Sequence, residues 1–329
     1  MRQERFEAEN SPLWERLEQL IAELERPRYK RRMAPSERLN FPADYRLVCS
    51  HYALARSRNF SPALLDQLHA LVLRGHYQLY RRRTAWGWRL LNFILLGFPR
   101  ALRRNSGYFW VALGIFLLPA LTLGIGCYYE QDLLYSILDE QQVASLEGMY
   151  DPANRRPGRV EERSSESDFV MFGYYIKNNI GIGFRTFASG ILLGVGSLLI
   201  LLFNGIVLGG VAGHLTRLGY QDTFWPFVAG HGAFELTAIV ICGAAGLLLG
   251  HAVLAPGQRT RALALKQNAL EALQLVMGAA LMLLLAAFIE AFWSSSSLAS
   301  ATKYSVAALL WLIVVLYLGW MGRAPDGSR

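Results

Sequence analysis

Five long apolar runs, near residues 106–128, 186–213, 227–250, 272–292 and 304–321, leave this chain few folds to choose from. A helix needs about 20 apolar residues to cross the hydrocarbon of a bilayer. Backbone groups in lipid must pair inside their own segment or around a closed barrel. Runs this long, without alternating segments of about 10 residues, mean helices. The expected fold class is all-α: a polytopic helical membrane protein with about five transmembrane helices and an N-terminal cytosolic helical bundle.

The remaining residues are distributed unevenly. Residues 1–106 hold 20 of the 33 Lys and Arg against 10 acids. A nucleic-acid reading of this excess loses to a simpler one, because the basic residues run directly up to the first span, as the positive-inside rule describes. No nucleic-acid partner is expected, and the N-terminus is placed in the cytoplasm. The opening "MRQERFEAENSPLWERLEQL" has no apolar core before a small-residue cleavage site, so no leader is expected to be removed. Cys49, Cys127 and Cys242 are widely separated and suggest neither a disulfide framework nor a metal cluster.

The expected organisation is a basic helical domain over 1–84, an amphipathic interfacial helix over 85–105, the first span over 106–128, an acidic external loop over 129–180, a transmembrane core over 181–322 and a tail over 323–329. In the first domain, Ser11-Pro12 and Ser61-Pro62 each read as an N-cap followed by a first-turn proline. Leu64, Leu65, Leu68, Leu71 and Val72 then form one apolar stripe, and Pro42 reads as opening a further helix, so three or four helices are expected. Residues 86–99, with Trp86 and Trp88, read as a helix lying on the anionic inner leaflet. Arg81, Arg82, Arg83, Arg89, Arg100, Arg103 and Arg104 are its expected membrane-surface contacts. The segment 128–180 carries 10 acids against 5 bases and is expected to be mostly exposed and partly flexible.

Topology presents a conflict. Five crossings put the C-terminus outside, together with Arg259, Arg261 and Lys266, against the positive-inside rule. A re-entrant hairpin broken at Gly230-His231-Gly232 would repair it with four crossings, but five is the retained expectation.

Glycines recur at helical contact spacing: Gly190 and Gly194; Gly205, Gly209 and Gly213; Gly243, Gly246 and Gly250. Lipid supplies no hydrophobic drive between helices, so small residues that admit close backbone approach are how spans attract one another. The glycine faces are expected to pack within this chain, within a homo-oligomer or against a partner. His231 and Glu235, four residues apart, share a helical face, and ionisable groups at membrane depth are functional suspects. HExxH chemistry needs a second histidine, and only His-x-x-x-Glu is present. A hydrogen-bonded structural pair near the membrane surface is the main reading, with ion or proton handling as the alternative. Asn204 and Glu290 are the other polar groups within spans; Glu290 is expected to snorkel or to pair with a group such as Lys303. No Walker loop, serine elbow or dinucleotide fingerprint occurs, so no enzyme activity, cofactor or metal is expected.

"NGIVLGGVAG" (204–213) followed by "PFVAGHGAFELTAIVICGAAGLLLG" (226–250) resembles the core of the stage II sporulation protein M family, whose pattern is Asn-Gly in one span and His-Gly-x-x-Glu before a Gly-Ala-rich helix. The stretch 53–83 resembles the cytosolic front of its Gram-negative members. The resemblance implies a polytopic inner-membrane protein without established catalytic activity. The family's namesake is a scaffold for cell-wall hydrolases during engulfment. Members in bacteria that do not sporulate often occur beside MoxR-type ATPases and von Willebrand A domain proteins. The long N-terminal domain departs from the sporulation member, so the implied role is a scaffold for envelope partners and not sporulation itself. A small-solute or ion transporter using His231, Glu235, Asn204 and Glu290 is the alternative.

Overall fold

The computed structural model describes residues 2–26, 35–80, 86–153 and 165–323, all helix and connection among the described residues. The chain divides into two compact units, at residues 1–86 and 87–329.

The first unit is three helices: α1 (Gln3–Glu25), α2 (Pro35–Ser57) and α3 (Pro62–Tyr80). Phe6, Trp14, Leu17, Ile21, Val48, Leu64, Leu68 and Leu71 form its core. Ser61-Pro62 does open a helix, and Gln3 ties that corner by bonding both the backbone N–H and the hydroxyl of Ser61. Pro12 and Pro42 do not: both lie inside helices that begin earlier. A proline costs the helix one backbone donor, yet both helices continue past it, with Trp14 and Val48 buried on the far side. Trp14 donates to His51 Nδ1 at 3.1 Å. The buried Asp44 is paired with the exposed Arg16 at 2.6 Å.

The second unit opens with α4 (Trp86–Asn92), a π turn (Phe93–Gly97) and α5 (Phe98–Arg104). Then come α6 (Ser106–Tyr129), the short α7 (Asp132–Tyr135) and α8 (Glu140–Tyr150), and α9 (Ser165–Ala188). The core is completed by α10 (Val195–Arg217), α11 (Gln221–Leu254), α12 (Arg261–Phe288) with a π turn (Ile289–Ser294), and α13 (Ser300–Trp320). Among the described residues, five helices, α6, α10, α11, α12 with its π turn, and α13, are long and apolar enough to cross a membrane. The protein is an all-α, multi-pass membrane protein. Helix α11 is the central member: it is buried along most of its length and touches α6, α9, α10, α12 and α13. Cys127 and Cys242 are buried free thiols.

Backbone contact at glycine sets the arrangement. A Cβ added at Gly205 would overlap the Phe116 carbonyl, at Gly209 the Ala120 carbonyl, and at Gly213 the Gly124 carbonyl. Residues 116, 120 and 124 of α6 thus match 205, 209 and 213 of α10 in rising order. The two helices are parallel, so the chain must return to its starting end between them. Helix α9 makes that return. Phe169 and Phe172 meet Phe292 and Phe288, Gly183 meets Leu283 and Cys242, and Gly190 lies on Gly246, so α9 runs antiparallel to α12 over the depth of the bundle. It carries Asp168, Lys177, Asn178, Asn179 and Arg185, too polar a set to register as a span from hydropathy. The reversal from α9 to α10 needs φ of +83° at Gly194, which glycine adopts without steric cost, and Gly194 packs on Gly250.

With α9 running back through the bundle, the two ends of the membrane unit can be assigned. Helix α11 is continuous through Gly230-His231-Gly232, so there is no re-entrant hairpin. Arg103 donates to the carbonyls of Leu318 and Met321, at 2.8 and 2.7 Å, and Arg100 to that of Gly322. The C-terminal end of α13 is therefore at the same end of the bundle as the start of α6. Arg104 and Asn105 meet Glu271 of α12 there, and Tyr108 is hydrogen-bonded to His251. Arg259, Arg261 and Lys266 consequently share an end with Arg100, Arg103 and Arg104, and the conflict with the positive-inside rule disappears.

Part of the segment 85–105 packs on the bundle. Trp88 and Arg89 are exposed, but Phe98, Ala101 and Leu102 are buried, with Phe98 filling the space that a side chain at Gly278 would need. Arg100, Arg103 and Arg104 act on protein; the first two satisfy carbonyls at and beyond the end of α13 that have no helical partner. Arg81, Arg82 and Arg83, the side chain of Trp86 and most of the segment 151–168 lie outside the described residues.

Two outcomes follow. Gly209→Val should destabilise the protein in mild detergent by about 3 kcal/mol or more, as an overpacked contact against backbone. Gly114→Val, at a position with open space around it, should change the thermal midpoint little. In single-cysteine variants probed with an impermeant maleimide in oriented membranes, Gln258→Cys and Arg323→Cys should label from one side and Glu140→Cys from the other.

Candidate functional site

The candidate site lies where α9, α11 and the π turn after α12 meet. His231 falls ten residues into α11, about 15 Å from its first residue at 1.5 Å per residue. It is thus buried, well inside the helix, and not at a helix start. Glu235 is one turn further on, with its side chain 16% exposed and that of His231 7% exposed. Glu290 comes from the π turn at the far end of α12, which is antiparallel to α11 and so brings back a residue 55 positions later. Single π turns insert an extra residue into the helical ladder and are frequent at functional sites, because they re-aim side chains.

Ligand-capable atoms of His231, Glu235 and Glu290 all lie within 4.8 Å of one another. His231 Nδ1 shares a 3.1 Å hydrogen bond with the hydroxyl of Ser294. The hydrogen bond expected between His231 and Glu235 is not formed: Nε2 and Oε2 are 3.8 Å apart, beyond hydrogen-bond reach. Asn179, which is 1% exposed, donates to Glu290 Oε2 at 3.3 Å and takes a 3.0 Å hydrogen bond from Asn178. The expected pairing of Glu290 with Lys303 is replaced by this amide contact. Lys303 is buried and donates to the Ser294 carbonyl at 2.8 Å, which fixes α13 to the same π turn.

Tyr150, the last residue of α8, covers the site on the α8 side, stacking edge-on against Phe224 and Phe227 while Phe227 stacks on His231. Burial, and after it the charge of Glu290, hold the Tyr150 phenol well above the ordinary range, so it remains neutral and a hydrogen-bond donor. Thr223 of α11 bonds the Tyr150 carbonyl, and Glu147 of α8 bonds His214 Nε2 at 2.7 Å. Helix α8, started by a capping box at Asp139 and Gln142, is therefore docked on the bundle and not a free loop.

Asn204 does not join the cluster by any hydrogen bond among the described residues. Its amide turns back on its own helix and donates to the Ile200 carbonyl at 2.8 Å. Gly205 serves the α6 contact, and Gly232 faces side chains of its own helix. Gly243 receives Leu201; Gly246 receives Ser197 and Gly190. The residue not foreseen is Asn179, and the polar stretch Lys177-Asn178-Asn179 preceding a glycine-rich run was the available signal.

A family model described as stage II sporulation protein M matches residues 109–295, more than half of the 329 residues, and one described as a domain of unknown function matches residues 4–81. The chain belongs to the stage II sporulation protein M family. The family match runs from α6 to the second π turn and contains Asn179, His231, Glu235 and Glu290. The stretch 53–83 falls almost wholly within the second match, whose function is unknown. No curated protein and no solved structure matches the chain.

Asn179→Leu should cost about 1–3 kcal/mol, because it leaves a buried acceptor of Glu290 without its donor. In a Glu290→Leu background the same substitution should cost at least about 0.5 kcal/mol less, measured as coupling in a double-mutant cycle of thermal unfolding in detergent.

Proposed function

We propose that this family member is a non-enzymatic scaffold of the inner, cytoplasmic membrane, with its N-terminal bundle in the cytoplasm, and that it holds envelope proteins on the acidic end of its membrane unit. The observation that carries the reading is the backbone-on-backbone packing of α6, α10 and α11, which makes the membrane unit a rigid mount. Onto it α7 and α8 are fastened by the His214–Glu147 and Thr223–Tyr150 bonds. Asp132, Tyr135, Glu140, Ala144 and Glu147 line an open acidic groove on that platform, a surface suited to basic partners. The basic end fits the cytoplasmic side by the positive-inside rule, beside anionic lipid. Proteins of the MoxR ATPase and von Willebrand A type, and a second copy of the chain, are the partners this reading favours.

The alternative is transport of a small solute or ion. It draws support from the carboxylates of Glu235 and Glu290 at membrane depth.

Crosslinking in native membranes should recover a defined set of partners with the wild-type chain. The Asp132→Lys/Glu140→Lys variant should lose them while remaining monodisperse. Vesicles reconstituted with wild-type protein should pass protons and metal ions no faster than protein-free vesicles. Flux abolished by Glu235→Gln would instead establish the transporter.

A further inference from the structure

We infer that His231, Glu235 and Glu290 form a binding site for a first-row divalent metal ion, zinc foremost, which staples the centre of α11 to the π turn of α12. The inference is independent of the scaffold reading.

Three observations carry it. The first is convergence: an imidazole nitrogen and two carboxylates, from two antiparallel helices, place ligand atoms within 4.8 Å of one another, with His231 buried and both glutamates partly buried. Donors around one zinc at about 2.0–2.2 Å lie about 3–4 Å from each other. The 3.8 Å from Nε2 to Glu235 Oε2 is thus too long for a hydrogen bond and right for two ligands of one ion.

The second is orientation. Ser294 occupies Nδ1 at 3.1 Å, which leaves Nε2 as the ring nitrogen facing the carboxylates. A partner on one ring nitrogen that sets the direction of the other is the usual outer arrangement of metal-bound histidine. Asn179 does the corresponding service for Glu290 by donating to Oε2 at 3.3 Å, which fixes the carboxylate beside the histidine.

The third is the π turn itself. In an uninterrupted α-helix the positions of Glu290 and Ser294 relative to α11 would be set by the 3.6-residue period. The extra residue between Ile289 and Ser294 instead presents a ligand and its orienting hydroxyl to the same histidine.

The chemistry of the set selects the ion. Imidazole nitrogen disfavours calcium and magnesium, which take oxygen ligands, and the absence of a thiolate from the set disfavours copper(I). Zinc, manganese or ferrous iron suits one nitrogen and two carboxylates. A dication also balances two neighbouring carboxylates that burial would otherwise leave costly. Ligands come from side chains alone, and no bond is made or broken beyond coordination.

The test uses the full chain purified in mild detergent without chelator, then analysed for metals by mass spectrometry. About one zinc per chain is expected, as is a rise in the thermal midpoint when zinc alone is returned to protein stripped with dipicolinate. His231→Gln and Glu290→Gln should each lower zinc content by roughly fivefold or more, whereas Asn204→Ala should retain it. A cobalt-substituted wild type should show visible ligand-field bands that both variants lack. The inference is overturned if wild-type protein grown with added zinc carries less than about 0.1 metal ion per chain and gains no stability from zinc, manganese or ferrous iron. It is also overturned if both variants keep the wild-type metal content, which would mark the ion as bound elsewhere. Should the variants fail to fold, the strip-and-return measurement on wild type decides by itself.

Discussion

The contact of α6 with α10 is the constraint from which the rest of the membrane unit follows. Carbonyls of Phe116, Ala120 and Gly124 lie where side chains would be on Gly205, Gly209 and Gly213, so the helices approach as closely as backbones allow. In lipid such contact is the main attraction available, made of dispersion over a matched surface. Because the pair is parallel, it dictates that something between them must come back. Because α10 begins with the left-handed turn at Gly194, seated on Gly250, the return helix is delivered against α11. The polar cluster forms where this return helix, α11 and the π turn of α12 meet.

Much of this was legible in the sequence, and the losses have physical causes. Apolar runs identify helices that lipid would accept unaided, which is why α6, α10, α11, α12 and α13 could be read and α9 could not. The glycine spacing named contact positions without naming the opposing helix, since a repeat of four residues carries no information about what lies across it. Pro12 and Pro42 misled because a proline is tolerated wherever the preceding turn is held by other packing, and that packing is tertiary. The carbonyl contacts of Arg100 and Arg103 could not be read from the sequence because their acceptors, near 318–322, are more than 200 positions away.

For the site, the His231-x-x-x-Glu235 pair was visible as a local pattern on one helical face. Its completion was not. Glu290 and Asn179 arrive from antiparallel neighbours, and Glu290 is aimed by a π turn that no simple periodicity announces. Hydropathy treats polar groups as penalties to be counted one at a time. Here Asn179, Glu290, His231 and Ser294 form two joined hydrogen-bonded pairs, in which each polar group offsets the burial of another.

Helix α9 bears on how the molecule is assembled as well as on its shape. A segment carrying Asp168, Lys177, Asn179 and Arg185 has little reason to leave the translocation channel for lipid when it is synthesised. Its partners Leu283, Phe288, Glu290 and Phe292 are made about a hundred residues later. The packing of α9 is therefore complete only after synthesis has moved well past it: α11 supplies one side of its seat and α12 the other. The last part of the family region to be translated completes the packing of one of the first.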